Sequence, residues 1–516
     1  MRIAVIGAGP AGLTSAKQAM EYGHDVVLYE RHDDVGGIWN PASLGAYEGV
    51  RTQTSRECLP YSDFPFPGAE PGEDEFPSVA RMHAYLRAYA ERFGVLPAVR
   101  FGHDVVRVHR PGDQWHVTAR HGGREATERF DAVMVANGEL WRPKGLPGAP
   151  VPSEARGFRL MTAKDYRRPS DLRGRRVLVA GGGVSGADIA AELAGEAASV
   201  DWAVRGRALF LPRDCGGIPN DMLFSYIGRV ALEELPFTQW LVFLSGLMPE
   251  YMRMYRASGL LPEDGFHNAV HVNDRIVPAV HRGDVRPRAA LSRLGEGGVA
   301  VFEDGGTGRY DTVILCLGYE APDYGFVDGF RQEDLYEHFF HRDDPTLMVI
   351  NTPIATDAFG TACPYFEAVA GWALAVLSGK AELPGPLSRA AWCEKHLPAR
   401  RRYYDCWLES IRIGLAGGML PDPATHFGDY WRLVSSVVVP ANLSPSGTPE
   451  ARPAPCDALF DLTTLKHRVL AALPLPTRDA LLSAGHIGPG DHHGSLTVPP
   501  HQRIEPWLPY RQLLGA

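Results

Sequence analysis

The sequence predicts an α/β fold with two parallel-sheet units, each entered through a glycine-rich turn. Near the start of the chain, the apolar run "IAVI" leads into "GAGPAG" at residues 7–12, and a helical pattern follows. A second apolar run leads into "GGGVSG" at residues 181–186, again before a helical pattern. The chain has 516 residues, which is too long for one ordinary core. These three observations predict two Rossmann-like units in a chain of several domains.

The first turn has the features of a dinucleotide-binding site. Its glycines let the backbone approach a pyrophosphate, and the N-terminus of the next helix offers N–H groups and a positive dipole end. The following strand, "DVVLYE", ends in Glu30, eighteen residues after Gly12. An acidic side chain at this place accepts hydrogen bonds from an adenosine ribose. A turn without a nucleotide is the alternative, and the strand, the helix and Glu30 together disfavour it.

The second turn differs in the charge that follows its strand. "VDWAV" runs into Arg205, with Arg207 close behind, where the first unit has an acid. A carboxylate would repel a 2′-phosphate, whereas the planar fork of an arginine can bind it. The second site is therefore predicted to be of the NADP type, with a solvated surface arginine as the alternative. Two dinucleotide sites in one chain indicate electron transfer between them, and FAD is favoured at the first because it stays bound while NADPH exchanges.

The sequence resembles the class B flavin-dependent monooxygenases, in particular the flavin-containing monooxygenase (FMO) group, from residue 1 to about 385. The resemblance goes beyond the two turns. It includes five further segments: "DDVGGIWN", "VRTQTSRECLPYSDFPFP", "FDAVMVANGELWRPKGLPG", "VFEDGGTGRYDTVILCLGYE" and "FEAVAGWALAVLSGKAELP". By this resemblance, NADPH reduces FAD, and the reduced flavin takes up O2 as a C4a-hydroperoxide that transfers one oxygen atom to a small molecule. The flavin supplies this chemistry, so no acid–base pair or nucleophile triad need be visible.

The resemblance also implies a domain organisation. We expect an FAD-binding domain formed from residues 1–145 and 315–385, into which an NADP-binding domain at 165–310 is inserted. Residues 208–275 do not fit a bare Rossmann unit and predict two or three helices, either a cover over the sheet or part of a substrate entrance. Residues 386–516 form a C-terminal extension, in which 394–418 has a helical pattern.

The family's motifs give candidate site residues in this sequence. The candidate catalytic residue is Gln53, at the position of a family asparagine thought to hold the nicotinamide and orient oxygen. For Gln53, the alternative to a catalytic role is packing in a polar loop. For Trp39 the alternative is a place in a core, and for Thr52 and Thr54 it is hydrogen bonding within a local turn. The FAD-binding candidates are Gly7, Gly9, Pro10, Ala11, Gly12, Glu30, Gly37, Ile38, Trp39, Thr52, Gln53, Val105 and Ala136. The NADP-binding candidates are Thr54, Gly181, Gly183, Val184, Ser185, Gly186, Arg205 and Arg207.

Several departures from the family pattern mark a divergent member. In the stretch "RGFRLMTAKDY", Tyr166 fits the family fingerprint Phe-x-Gly-x-x-x-His-x-x-x-Tyr, but Thr162 stands at the histidine. Gln53 has one methylene more than asparagine, which moves its amide by about 1.5 Å. In the closing helix, Val369 and Gly371 stand where the family often has glutamine and arginine. Membership therefore says little about the substrate.

Composition excludes several other classes of protein. The net charge of −9 disfavours a nucleic-acid partner. The seven cysteines are scattered without a C-x-x-C pair, which argues against a disulfide reductase and a zinc ribbon. The tail histidines at 486, 492, 493 and 501 fit no standard metal spacing, so no metal is expected. No apolar run approaches the roughly 18 residues of a membrane span. A cytoplasmic protein that uses O2 and a small-molecule substrate is expected, and a homodimer is left open.

Four functions remain compatible with the sequence. Oxygenation at nitrogen or sulfur leads, with nitrogen favoured by its frequency in the family. Baeyer–Villiger insertion at a ketone is disfavoured by Tyr166-Arg167, because those enzymes usually have Trp-Pro or Trp-Asp there. An NADPH oxidase that releases hydrogen peroxide is suggested by Thr162 and Gln53. A flavin-binding scaffold without catalysis is the remaining alternative.

Overall fold

The computed structural model describes residues 1–67, 75–146, 157–206, 208–232, 237–262, 270–351, 357–359, 363–396, 403–423, 425–437, 439–443, 454–460, 462–463, 465–466, 470 and 475–484. Two of the predictions above lie outside these residues: the role of Arg207 and the tail histidines. All seven cysteines are buried and unpaired. Among the described residues, no helix is both long and apolar enough to cross a bilayer.

The strands are numbered in chain order. They are β1 (Arg2–Ile6), β2 (Asp25–Tyr29), β3 (Val99–Arg100), β4 (Asp104–His109), β5 (Trp115–His121), β6 (Arg124–Phe130), β7 (Ala132–Val135), β8 (Arg159–Thr162), β9 (Arg176–Ala180), β10 (Ser199–Ala203), β11 (Leu209–Leu211), β12 (Val270–Val272), β13 (Val285–Arg288), β14 (Leu291–Leu294), β15 (Val299–Phe302), β16 (Thr307–Arg309), β17 (Thr312–Leu315), β18 (Leu335–Tyr336), β19 (Phe340–His341), β20 (Leu347–Val349), β21 (Asp357–Phe359) and β22 (Tyr403–Asp405).

The α-helices are numbered in the same way. They are α1 (Pro10–Glu21), α2 (Val79–Arg92), α3 (Val184–Leu193), α4 (Tyr226–Leu232), α5 (Phe237–Leu247), α6 (Pro249–Ala257), α7 (Ile276–Arg282), α8 (Cys363–Leu377), α9 (Pro386–His396), α10 (Cys406–Ala416), α11 (Phe427–Val434) and α12 (Leu475–Ser483).

The first large sheet has β1 near its centre. Its strand order is β18-β19-β20-β7-β1-β2-β3. β1 pairs in parallel with β2 and β7, so that Ile3 lies opposite both Val26 and Ala132. The apolar run of β1 is buried because strands in the middle of a parallel sheet are covered on both faces. After the second sheet, the chain returns to this one through β18, β19 and β20.

The second large sheet is entirely parallel. Its order is β13-β10-β9-β17-β8, with β9 central and α3 following it. The sheet extends from 159 to 315, so β8 and β17 lie outside the range 165–310 predicted for the NADP domain. The α/β class with Rossmann-type units is confirmed, whereas the division into domains stays a prediction. Two antiparallel three-stranded sheets, β4-β5-β6 and β14-β15-β16, accompany the large ones.

In the described part of the insertion at 208–275, three α-helices, α4, α5 and α6, lie between the short parallel strands β11 and β12. α6 is attached to β11 through tyrosine hydroxyls. The Tyr255 hydroxyl donates to the Ala208 carbonyl and accepts from the Phe210 N–H, and the Tyr251 hydroxyl donates to the Phe210 carbonyl. Trp240 of α5 and Met252 of α6 are buried in the same core as the second sheet. The helices therefore continue that core.

The C-terminal extension is packed on the body through α10. This helix lies against α8, the helix that closes the first sheet's domain in the predicted organisation. Beside this contact, a Cβ at Gly371 would lie 2.1 Å from the sulfur of Met419, which follows α10. Met419 thus takes the space above the position where the resemblance implies an arginine. Helix α9 ends at His396 and strand β22 precedes α10, so the helical pattern over 394–418 is not one helix.

Replacing Gly371 with arginine is expected to displace Met419 and destabilise the contact between α8 and α10. Overpacking of this kind costs about 1–3 kcal/mol. Thermal unfolding should begin at a lower temperature, and limited proteolysis should cut the extension sooner. Gly385→Arg is the matched control, because Gly385 is exposed and a Cβ there would have no described atom within 4 Å. The combination with Met419→Ala should recover stability; a double variant as weak as the single one would contradict the packing argument.

Candidate functional site

The first turn depends on glycine at two positions. Gly7 has a φ of +102°, and a Cβ there would lie 2.4 Å from the Ala136 carbonyl oxygen. A Cβ at Gly12 would lie 1.7 Å from the Gly7 carbonyl oxygen. α1 begins directly after Gly9, and no side chain caps it. Its first N–H groups therefore remain available to an anion, as a pyrophosphate site requires.

Glu30 lies at the end of β2 and supports the same turn. It is 6% exposed. One carboxylate oxygen accepts the Ala8 N–H at 2.8 Å, and the other accepts the His32 N–H at 2.9 Å. A carboxylate has about four acceptor positions, so two such bonds leave room for ribose hydroxyl groups. The arrangement suits the acidic ribose-binding position expected from the sequence.

The Gly36-Gly37-Ile38-Trp39 loop lies against the first turn. The Gly36 N–H donates to the Ala8 carbonyl at 2.8 Å. A Cβ at Gly37 would come within 3.1 Å of the Gly9 Cα, so the two backbones approach closely. Trp39 packs at the junction of the first-sheet core and a core that includes the C-terminal extension. The loop therefore packs directly against the first turn and forms part of its wall.

Two further FAD candidates occupy different places. Ala136 follows β7, and its N–H donates to the Ile6 carbonyl at 2.8 Å, so its own carbonyl faces the Gly7 turn. Val105 lies in β4 and packs on the opposite core of the first sheet, which also contains Val108 and Trp115. Ala136 therefore belongs to the wall of the first turn, while Val105 contributes a hydrophobic contact at the antiparallel sheet.

The second turn repeats the geometry of the first. Gly181 has a φ of +131°, and a Cβ there would lie 2.1 Å from the Cys316 carbonyl oxygen. A Cβ at Gly186 would lie 2.0 Å from the Gly181 carbonyl oxygen, and one at Gly183 would meet no described atom within 4 Å. No side chain caps α3, which begins at Val184 and includes Ser185. The open space before an uncapped helix N-terminus fits a second pyrophosphate.

Arg205 follows the end of β10 and is exposed. The loop that carries it lies beside the second turn, because a Cβ at Gly182 would contact the Val204 side chain and approach the Gly206 carbonyl at 3.9 Å. An exposed guanidinium next to an open glycine turn can bind a phosphate on the ribose of a bound nucleotide.

The fingerprint stretch forms a turn that contacts α3. The Thr162 hydroxyl and N–H both donate to Asp165, at 2.7 and 2.8 Å. The Tyr166 hydroxyl donates to Glu192 of α3 at 2.9 Å, and burial raises the pKa of that carboxyl. Thr162 therefore completes a local turn, and Tyr166 fixes this turn to the helix of the second site.

The segment Thr52–Ser55 lies between the two halves of the site. The Thr52 N–H donates to the Pro77 carbonyl at 3.0 Å, and the Ser55 N–H donates to Asp221 at 2.6 Å. Thr52, Thr54 and Ser55 are buried, and Gln53 is half-buried. Among the described residues, none forms a hydrogen bond with the side-chain amide of Gln53. The amide is thus available to a ligand.

No sequence motif includes the residues that hold this segment from the other side. Arg213, Asn220 and Asp221 come from the loop between β11 and α4, and all three contact the backbone of residues 52–55. They belong to no motif, and about 160 residues of chain separate them from their partners. No local sequence pattern predicts such a contact.

Comparisons with known proteins decide the family. The family model for flavin-binding monooxygenase-like proteins, FMO-like, matches residues 1–405. The chain belongs to this family. Flavin-containing monooxygenase 1 of the dog, Canis lupus familiaris, is 31% identical over 412 residues, covering 74% of this chain and 75% of the relative. Dimethylaniline monooxygenase [N-oxide-forming] 2 of Rattus norvegicus is 30% identical over 420 residues, covering 76% of each.

Solved structures agree on the fold of this monooxygenase family member. The S-allyl-L-cysteine S-oxygenase from Allium sativum has a TM-score of 0.58 at 22% identity, covering 81% of this chain and 88% of that one. The cyclohexanone monooxygenase from Rhodococcus sp. Phi1, bound to NADP+, has a TM-score of 0.57 at 18% identity, covering 77% and 88%. The protein is a flavin-dependent monooxygenase that uses FAD and NADPH, as predicted.

Proposed function

We propose that the first turn binds FAD, that the second binds NADPH, and that the enzyme oxygenates nitrogen in a small molecule. The observation that carries the two-cofactor arrangement is the pair of uncapped helix N-termini, α1 and α3, each reached through glycines that accept no Cβ. In the first site, Glu30 would hold the ribose, and the Gly37 loop would cover the pyrophosphate. In the second, Arg205 would hold the 2′-phosphate.

Bound FAD would supply oxygen activation after reduction by NADPH, and the chain's own residues would organise the reactants. The half-buried Gln53 amide offers a donor and an acceptor to the nicotinamide and the oxygen beside the flavin ring. Trp39 would form a wall beside the flavin. It packs against both the core of the first sheet and the core that includes the C-terminal extension. That extension would exclude water from this side of the site.

Nitrogen is favoured as the site of oxygenation by the names of the relatives. One of them, 30% identical over most of both chains, is called N-oxide-forming. Sulfur is the near alternative, since a structure of similar fold is named an S-oxygenase.

Baeyer–Villiger insertion at a ketone is the second candidate function, because cyclohexanone monooxygenase shares the fold. Here the fingerprint ends in Tyr166-Arg167, and Arg167 donates to the Ala46 carbonyl at 2.9 Å. The arginine is thus engaged in holding the loop near 46 against the fingerprint. A Trp-Pro or Trp-Asp ending would not make this contact.

An NADPH oxidase is the third candidate, and one experiment separates all three. The FAD-loaded protein is supplied with NADPH, O2 and, in turn, a tertiary amine, a sulfide and a ketone. N-oxygenation predicts an N-oxide with its oxygen from O2 and one product per NADPH. An ester from the ketone would favour the second candidate. Hydrogen peroxide equal to the NADPH consumed, with every substrate, would show an oxidase.

Replacing Arg205 with alanine is expected to raise the Michaelis constant for NADPH about tenfold and to leave that for NADH nearly unchanged. An exposed arginine–phosphate hydrogen bond is screened, so the effect lies at the lower end for bonds to charged groups. Steady-state rates with each nucleotide measure it. Arg173→Ala is the control, because Arg173 is exposed and pairs with Glu196. An equal change for NADPH and NADH would exclude phosphate recognition by Arg205.

A further inference from the structure

Three side chains of one loop bind the backbone of residues 52–55. The Arg213 Nε donates to the Thr52 carbonyl at 3.2 Å. The Asn220 amide donates to the Gln53 carbonyl at 3.2 Å. The Asp221 carboxylate accepts the Ser55 N–H at 2.6 Å. We call these three residues the clamp; they fix the peptide groups on both sides of the Gln53 side chain.

The clamp residues are themselves buried and bonded to the surrounding protein. Arg213, Asn220 and Asp221 are each at least 91% buried. The Arg213 carbonyl accepts both the Asn220 backbone N–H, at 2.9 Å, and its side-chain amide, at 3.2 Å. Arg213 also pairs with Asp274. Side chains buried and bonded in this way lose little further freedom when they hold a partner.

The segment is fixed from the opposite side as well. The Thr52 N–H donates to the Pro77 carbonyl, and the backbones of Arg51 and Ser78 form an antiparallel β-bridge. Residues 77 and 78 precede α2, whereas the clamp belongs to the insertion after β11. The segment is therefore held between the part of the chain that follows the first turn and the part that follows the second.

Three buried side-chain oxygens of the segment and the clamp form no hydrogen bond with the described residues. They are the Thr52 hydroxyl, the Ser55 hydroxyl and the second oxygen of Asp221. Burial raises the pKa of Asp221 to about 6. Buried polar atoms are rarely left without a hydrogen bond, so water or a bound ligand is expected to complete the hydrogen bonding of these oxygens.

We infer that Arg213, Asn220 and Asp221 are positioning residues for the monooxygenase reaction, which hold the backbone of residues 52–55 so that the Gln53 amide meets NADP. The inference rests on the role proposed for Gln53. None of the three need touch a cofactor, since each acts through the peptide groups of the segment. Loss of one bond allows the segment to move, and a displacement of about 1 Å can cost around 100-fold in rate.

The test compares two substitutions at Asp221 in the full FAD-loaded chain. Asp221→Ala removes the acceptor of the Ser55 N–H, and the dissociation constant for NADP+, read from the change in flavin absorbance, should rise about tenfold. Hydrogen peroxide released per NADPH should rise in parallel. Asp221→Asn keeps an oxygen for the same N–H, so both quantities should stay within about twofold of the wild type.

A matched control removes the same kind of bond elsewhere. Asp131 accepts the Arg2 N–H at 2.7 Å where β1 begins, at the end of the strand opposite the first turn. Asp131→Ala should leave NADP+ affinity and peroxide release unchanged. If Asp221→Ala does not take up FAD, Asn220→Ala tests the neighbouring bond, with the same two readouts and the same expected direction.

Three results would overturn the inference. Wild-type affinity for NADP+ in both Asp221→Ala and Asn220→Ala would show that the segment does not depend on the clamp. An Asp221→Asn enzyme as impaired as Asp221→Ala would show that charge matters rather than the backbone bond. Equal loss in Asp131→Ala would show a general effect of instability. If the wild type oxygenates no substrate, the proposed function fails, but the NADP+ affinities still decide on the clamp.

Discussion

Replacing Gly12 with alanine is expected to give a protein that is nearly colourless when purified. The new Cβ would lie 1.7 Å from the Gly7 carbonyl oxygen, which is backbone and cannot move aside without opening the turn. A turn that opens withdraws the N–H groups of α1 from the pyrophosphate. We expect FAD affinity to fall by at least about 100-fold, on the scale of about 1–3 kcal/mol for overpacking added to lost hydrogen bonds. Flavin content per chain measures it.

The equivalent change in the second turn should have a different result. A Cβ at Gly186 would lie 2.0 Å from the Gly181 carbonyl oxygen, so Gly186→Ala opens the other turn. That variant should stay yellow, while the rate of flavin reduction by NADPH falls steeply. The pair of variants assigns the cofactors: if Gly186→Ala loses the flavin and Gly12→Ala keeps it, the two sites are the reverse of those proposed.

The two turns could be predicted because the features that form them are local. Strand, glycine spacing, helix and Glu30 lie within the first thirty residues, and the same elements recur near residue 181. In both copies, the first and third glycines are required by backbone atoms within the turn itself or by the neighbouring parallel strand. Only the partner carbonyls of Ala136 and Cys316 come from far along the chain, and each follows a strand that the buried apolar pattern also marks.

The surroundings of Gln53 could not be predicted in the same way. Its segment is held by Arg213 and Asp221, more than 150 residues away, through bonds to backbone groups that every residue possesses. Because such bonds can form with almost any residue, the amino-acid types at 52–55 do not indicate them. The packing of the C-terminal extension could not be predicted either. In the sequence, Gly371 is only a departure from the family pattern, whereas in the structure Met419 occupies the space beside it. Contacts between distant elements arise from tertiary packing, which a pattern of local spacing does not contain.

Replacing Gln53 with alanine is expected to leave FAD bound but to uncouple NADPH consumption from oxygenation of the substrate. The backbone of residue 53 is held through its carbonyl by Asn220, so removal of the side chain should not disturb the segment. The amide would be lost from the place where nicotinamide and oxygen are proposed to meet. We expect flavin reduction by NADPH to change less than about threefold, and peroxide to account for most of the NADPH consumed. Product, peroxide and NADPH measured in one reaction give the ratio.

Gln53→Asn is the informative companion, because it keeps the amide and withdraws it by about 1.5 Å. With the backbone fixed on both sides, by Pro77 and by the clamp, the segment cannot follow the shorter side chain. Coupling should therefore fall between that of the wild type and that of Gln53→Ala. If asparagine couples as well as glutamine, the segment must be free to adjust, and the clamp does not fix it. If alanine couples as well as either, the amide has no part in the reaction, and oxygen transfer depends on the cofactors and the walls of the site alone.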